Sequence, residues 1–118
     1  MLFESSEEFG HTPGLGLLRG QVIPLASLDS SGRPVTLPHL GWNRLLPAAD
    51  EPLNQYFVHS FVATAVDPEA LLYECRYTDQ MFVAAVKQGR LAGFQFHPER
   101  SGPSGLTLLA ATCLELIR

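Results

Sequence analysis

The chain is poor in the residues that mark several large protein classes, and each scarcity removes a class. Its two cysteines, Cys75 and Cys113, are too few and too far apart for a disulfide framework or a zinc site, so a reducing compartment is expected. Eight Lys and Arg against 12 Asp and Glu give a net charge of −4, which offers no electrostatic reason for nucleic acid or an anionic membrane as partner. No apolar run is long enough to span a bilayer, and the first residues carry acids instead of a basic leader. Neither a membrane anchor nor a signal peptide is indicated, and a cytoplasmic location is expected. His11, His39, His59 and His97 show no short ligand spacing, so no metal site is expected. The glycine-rich stretch Gly14 to Gly20 lacks the Lys-Ser/Thr of a phosphate-binding loop, and nothing else calls for a cofactor.

What is present suits a packed domain. A chain of 118 residues, 46% hydrophobic and 17% charged, has the size and composition of one small globular unit. Its most informative stretch is Ala92-Gly93-Phe94-Gln95-Phe96-His97-Pro98-Glu99-Arg100-Ser101-Gly102. Read as a strand, it alternates, placing Phe94 and Phe96 on one face and Gln95, His97 and Glu99 on the other. Pro98 has no N–H for a ladder, so pairing should stop there and leave His97 and Glu99 at an exposed tip. A histidine beside a carboxylate is the base and orienter of nucleophilic catalysis, in which the carboxylate sets the imidazole tautomer and stabilises its cation. Two surface residues of no role would read the same way in a motif this short.

Other segments have clear local signals. Met1 to Glu8 reads as the end of an amphipathic helix that stops before Gly10. Gln21 to Leu25 reads as a strand, Asp29 to Pro34 as a turn, and Gln55 to Val62 as an alternating strand after a polar loop at Pro47 to Pro52. Leu71 to Tyr77 is expected as a strand. Val83 to Val86 should pair with Leu91 to Phe96 about a turn at Gln88-Gly89-Arg90. Leu106 to Ile117 reads as a helix with Ser104 as N-cap, apolar enough to cover a sheet.

At Gly-Phe-Gln-Phe-His-Pro-Glu-Arg-Ser-Gly the chain resembles the C-terminal catalytic strand of class I glutamine amidotransferases, most closely the glutaminase subunits of imidazole glycerol phosphate synthase. Two more segments carry the resemblance in the same order: Pro38-His39-Leu40-Gly41-Trp42-Asn43 and Tyr56-Phe57-Val58-His59-Ser60-Phe61. It covers Leu2 to about Leu109. The fold it implies is α/β, the C-terminal portion of a flavodoxin-like three-layer amidotransferase domain, strand-rich, with residues 1–118 lacking the half that bears the nucleophile.

The resemblance also implies roles. His97 would be the general acid/base and Glu99 its orienter. Glu8 would receive the α-ammonium of glutamine, and backbone groups of His59, Ser60 and Phe61 would hold its carboxylate. Trp42, Asn43 and Arg100 would lie at the contact with a cyclase subunit, which uses the ammonia in histidine biosynthesis. In such enzymes a cysteine thiolate attacks the glutamine amide, ammonia leaves a thioester, and water releases glutamate.

Cys75 and Cys113 lie in regular apolar segments without the glycine-flanked elbow of a nucleophile, so both are expected as buried structural thiols. A base without its nucleophile and oxyanion donors should have little activity alone. The alternative is a non-catalytic truncated or split module that binds the cyclase or a separate N-terminal half. A hydrolase using Ser60 or Ser101 ranks lowest, because neither serine sits in an elbow motif. A sheet edge left unpaired would favour self-association.

Overall fold

The computed structural model describes residues 2–47 and 54–117. Met1 and most of the polar loop expected between Pro47 and Pro52 lie outside the described residues. Two sheets and one helix make up the described chain. The first sheet holds β1 (Ser5–Ser6), β2 (Thr12–Pro13), β3 (Gln21–Pro24) and β6 (Phe61–Thr64) in the order β2-β1-β3-β6, with β1 parallel to β3 and the other pairs antiparallel. The second is antiparallel throughout, with β4 (His39–Leu46), β5 (Asn54–His59), β7 (Leu71–Tyr77), β8 (Gln80–Gln88) and β9 (Leu91–Phe94) in the order β5-β4-β7-β8-β9. The helix, α1, runs from Gly102 to Leu116. The architecture is strand-rich with one helix, in keeping with part of an amidotransferase α/β domain.

Alternation along the strands builds the core. Leu45, Phe57, Cys75, Phe82 and Ala84 from the five-stranded sheet meet Leu25 and Val62 from the four-stranded side, with Phe96 closing the cluster. The chain passes between sheets at Ser60, where β5 ends and β6 begins. The Ser60 carbonyl there accepts a hydrogen bond from the Leu25 N–H at 2.8 Å. That corner interrupts what the sequence reads as one strand from Gln55 to Val62.

Three expectations need correction. Residues 2–8 are not helical: Ser5–Ser6 pair with Gln21–Val22, and Phe9 and Gly10 turn the chain back with positive φ. Paired serines bond readily to nearby backbone and a segment this short nucleates a helix poorly, so tertiary strand pairing wins. The strand expected through His97 stops at Phe94, and a 3₁₀ turn, Pro98–Arg100, follows it. The helix begins before Ser104, with Ser101 at the N-cap position and Pro103 in the first turn, where a missing N–H costs nothing. Of its apolar residues, Leu106, Leu114 and Ile117 remain exposed, so α1 covers the sheet with only one face.

Gly105 is what allows α1 to seat against the turn. A Cβ there would lie 2.2 Å from the Pro98 carbonyl oxygen and 2.5 Å from the Ser101 Cβ, both rigid neighbours. Gly105→Ala gains helix propensity of about 1 kcal/mol, but the clash with backbone should outweigh it. The expected outcome is a net loss of about 1–3 kcal/mol, in the range of overpacking, read as a lower urea midpoint with displaced His97 and Glu99 resonances.

Candidate active site

The site is built on the outer edge of β5. Tyr56, whose main-chain groups face away from β4, accepts a hydrogen bond at its carbonyl from the His97 N–H at 3.0 Å, and its own N–H donates to the Ser101 Oγ at 2.9 Å. The Ser101 hydroxyl in turn donates to the His97 carbonyl at 2.7 Å. Three hydrogen bonds therefore close a ring through Tyr56, His97 and Ser101, and the edge strand is capped by the segment that carries the candidate base. Pro98 starts the 3₁₀ turn inside that ring, and the turn swings Glu99 back towards His97.

The His97 Nδ1 lies 2.8 Å from the Glu99 Oε1. A carboxylate only accepts, so Nδ1 carries the hydrogen, and Nε2 presents its lone pair for a proton. This is the orientation that a general base needs. Both side chains are partly exposed. The Glu99 carboxyl is held below its ordinary value, first by its own backbone N–H and then by His97 and Arg100. The expected pairing is thus present, although a turn and not strand alternation produces it.

The other expected residues are distributed around this centre. His59 ends β5, Ser60 forms the corner and Phe61 opens β6. Burial lowers the His59 pKa, the hydrogen bond to the Phe61 carbonyl partly offsets it, and the nearness of His97 adds to the lowering. Trp42 is 58% exposed and packs edge-on to Tyr56 at 6.0 Å, directly beside the residue that anchors His97. Trp42 and Asn43, grouped in the sequence, point to opposite faces of β4. Trp42 joins Leu40, Tyr56 and Val58 on the outer face, whereas Asn43 turns inward and bonds to His39 and to the Arg76 carbonyl. Arg100 is exposed next to Glu99. Glu8 is exposed in the turn between β1 and β2, where its N–H bonds to the Ser6 Oγ, and no described hydrogen bond or ion pair joins it to the His97 group.

Neither thiol can serve His97. Cys75 is fully buried in β7, and burial pushes its thiol up to about 12, so it stays protonated and inert. Cys113 is exposed on α1, which corrects the expectation of a buried thiol, and it sits in a regular helix with no elbow. Ser101 is 2% exposed with its proton committed to the His97 carbonyl, which removes it as a nucleophile. Sequence reasoning missed the positioning parts, Tyr56 and Ser101. The four-residue spacing from His97 to Ser101, one helical turn, was the available signal.

The strand-rich fold with one helix is that of part of a class I glutamine amidotransferase α/β domain. No family model matches the chain. Comparison with curated proteins places it more closely. It is 41% identical over 116 residues to imidazole glycerol phosphate synthase subunit HisH of Bacillus licheniformis and 41% identical to that of Geobacillus kaustophilus, matching 92% of this chain and 54% of each relative. The HisH subunit of Wolinella succinogenes is 41% identical over 121 residues, matching 96% of this chain and 58% of its own. The chain spans about half the length of the curated relatives it matches, and along nearly its whole length it is homologous to that part of the HisH subunits.

Two predictions follow from the geometry. Ser101→Ala leaves the Tyr56 N–H without its partner in a partly buried setting, which should cost about 1–3 kcal/mol. A lowered urea midpoint, with faster hydrogen exchange at the Tyr56 and His97 amides, checks it. The second concerns acid. Burial lowers His39 from 6.5 to about 4 and lowers His59 as well. A depressed histidine pKa means that the unfolded chain binds a proton the folded chain refuses, so stability is full above about pH 6.5 and falls as the pH drops towards 4. At about 1.4 kcal/mol per unit, His39 withdraws on the order of 2–3 kcal/mol across that window. Urea midpoints measured from pH 7 to pH 4.5 should fall accordingly.

Proposed function

We propose that the chain carries the general acid/base portion of a glutaminase site and serves imidazole glycerol phosphate synthase, releasing ammonia from glutamine for a cyclase subunit in histidine biosynthesis, in the cytoplasm. The observation that carries this reading is the 2.8 Å bond from His97 Nδ1 to Glu99, which leaves Nε2 free to act. The naming of the relatives as synthase subunits supports the pathway.

In this mechanism a cysteine outside the 118 residues supplies the nucleophile. His97 Nε2 takes the thiol proton as sulfur attacks the side-chain amide carbon, and returns it to the leaving nitrogen as ammonia departs. It then takes a proton from the water that cleaves the thioester to glutamate. Glu99 stabilises the imidazolium in both steps. Backbone groups of His59, Ser60 and Phe61 hold the substrate carboxylate, and Glu8 its ammonium. The outer face of Leu40, Trp42, Tyr56 and Val58, with Arg100 nearby, meets the cyclase, since an exposed aromatic and aliphatic cluster beside the base is where docking would cover the site.

A second reading is a non-catalytic truncated or split module that binds the cyclase or a separate half. It is favoured by the same apolar face together with the two unsuited thiols, and an unpaired sheet edge would be a route to self-association. The test mixes the 118-residue chain with the nucleophile-bearing half of a HisH relative and the cyclase, and measures glutamate release. Turnover above that of either piece, lost by at least 100-fold in His97→Asn as expected for a general base, supports the glutaminase reading. Binding to the cyclase without turnover supports the module instead.

A further inference from the structure

The fold buries a second histidine system that the proposed reaction does not use. His39 is 3% exposed and His59 9%. The His39 ring is stacked between Tyr77, at 4.2 Å, and Phe57, at 5.0 Å, so it cannot rotate freely. Its Nδ1 lies 2.9 Å from the His59 Nε2, and its Nε2 lies 3.2 Å from the Asn43 Nδ2. The His59 Nδ1 lies 3.1 Å from the Phe61 carbonyl oxygen.

Every proton in this chain can be assigned from its ends. The Asn43 Oδ1 accepts from the Arg44 N–H at 2.8 Å, so the amide nitrogen is the group facing inward, with one hydrogen for the Arg76 carbonyl at 2.7 Å and one for His39. At the far end a carbonyl can only accept, so the His59 Nδ1 carries a hydrogen. A neutral His59 then has a lone pair at Nε2, which His39 must meet with an Nδ1 hydrogen. That leaves the His39 Nε2 as the acceptor for Asn43, which agrees with the assignment made from the opposite end.

We propose that Asn43, His39 and His59 form a hydrogen-bond relay of single polarity running to the Phe61 carbonyl, and that His39 is thereby a positioning residue for the Ser60–Phe61 corner. That the corner receives the carboxylate of glutamine rests on the function proposed above; the relay itself does not. Burial disfavours a cation on either ring, and the geometry agrees with it, because a second proton on either ring would oppose a donor with a donor. The relay links an amide on β4 to the point where the chain crosses from one sheet to the other. Its polarity matters because reversal at any member propagates to the last. An acceptor in place of the Asn43 amide forces a hydrogen onto the His39 Nε2. His39 must then become cationic, or both rings must exchange tautomers, in which case His59 turns a lone pair towards the Phe61 carbonyl and releases it.

The experiment uses the full 118-residue chain labelled with nitrogen-15 at histidine. Long-range proton–nitrogen spectra at neutral pH should show both His39 and His59 as neutral Nδ1–H tautomers, the form that imidazole disfavours in water. An Nε2–H tautomer at either ring overturns the relay, and this result needs no variant to fold. Asn43→Asp, nearly isosteric, should convert His39 to the cation or invert both tautomers, and should shift the Phe61 carbonyl resonance. Unchanged His39 and His59 spectra in a folded Asn43→Asp chain overturn it as well. In the reconstituted assembly the same variant should raise the KM for glutamine about tenfold with a smaller change in kcat, the signature of lost positioning. An unchanged KM overturns the positioning role. Absence of turnover with the unaltered chain defeats the glutaminase reading instead, while the spectra still decide the relay.

Discussion

The ring of hydrogen bonds through Tyr56, His97 and Ser101 is the constraint on which the site depends. β5 is an edge strand, and an edge offers backbone groups that must find water or another partner. Here the partner is the segment from His97 to Ser101. Both main-chain groups of Tyr56 that β4 leaves unpaired are used, so the His97 backbone is fixed to the sheet at one point and its orientation follows from the sheet's. Pro98 and Gly105 refine the arrangement from either side. Proline sets the start of the 3₁₀ turn, and the missing Cβ lets the helix press on that turn at a distance no other residue would tolerate. Stability and site geometry are therefore not separable here, because the contacts that seat α1 also aim the imidazole.

A different economy governs the interior beside it. Placing two imidazoles in the core costs desolvation, which only complete hydrogen bonding offsets. His39 and His59 meet that condition through each other, Asn43 and a carbonyl, with Phe57, Tyr77 and Phe82 packed around them. An all-apolar replacement would satisfy packing but would leave the Phe61 carbonyl at the sheet-to-sheet corner without its local donor. The polar pair thus specifies a backbone conformation that hydrophobic contacts alone do not.

Much of this was legible in the sequence, for identifiable reasons. The β8–β9 hairpin, the strand at Leu71–Tyr77 and the turn at Asp29–Pro34 follow from alternation and turn chemistry, which are local. His97 and Glu99 could be paired because residues two positions apart stay close in any extended or turned backbone. The N-terminal segment was misread because its conformation is decided by pairing with β3, fifteen or more residues away, and propensity carries no information about that partner. The same holds for Tyr56, whose importance lies entirely in main-chain groups that its side chain does not announce. Cys113 was misread for another reason: the apolar residues of α1 are spread around the helix, so its sequence does not reveal which side meets the sheet.

The exposure of His97 and Glu99 bears on how such a site would be completed. A contact this open to water adds little to stability, so it does little to hold the two side chains in place. The turn does that, and the pair comes into register as a consequence. Covering the pair would change the balance, since the same 2.8 Å contact acts far more strongly once solvent is excluded. The nucleophile-bearing elements proposed above would thus do two things in arriving: supply the thiol, and strengthen the carboxylate's hold on the imidazolium that forms when the thiol gives up its proton. A base aligned by backbone geometry in advance, and energised by burial only on assembly, avoids the cost of keeping a charged pair dry in the isolated chain.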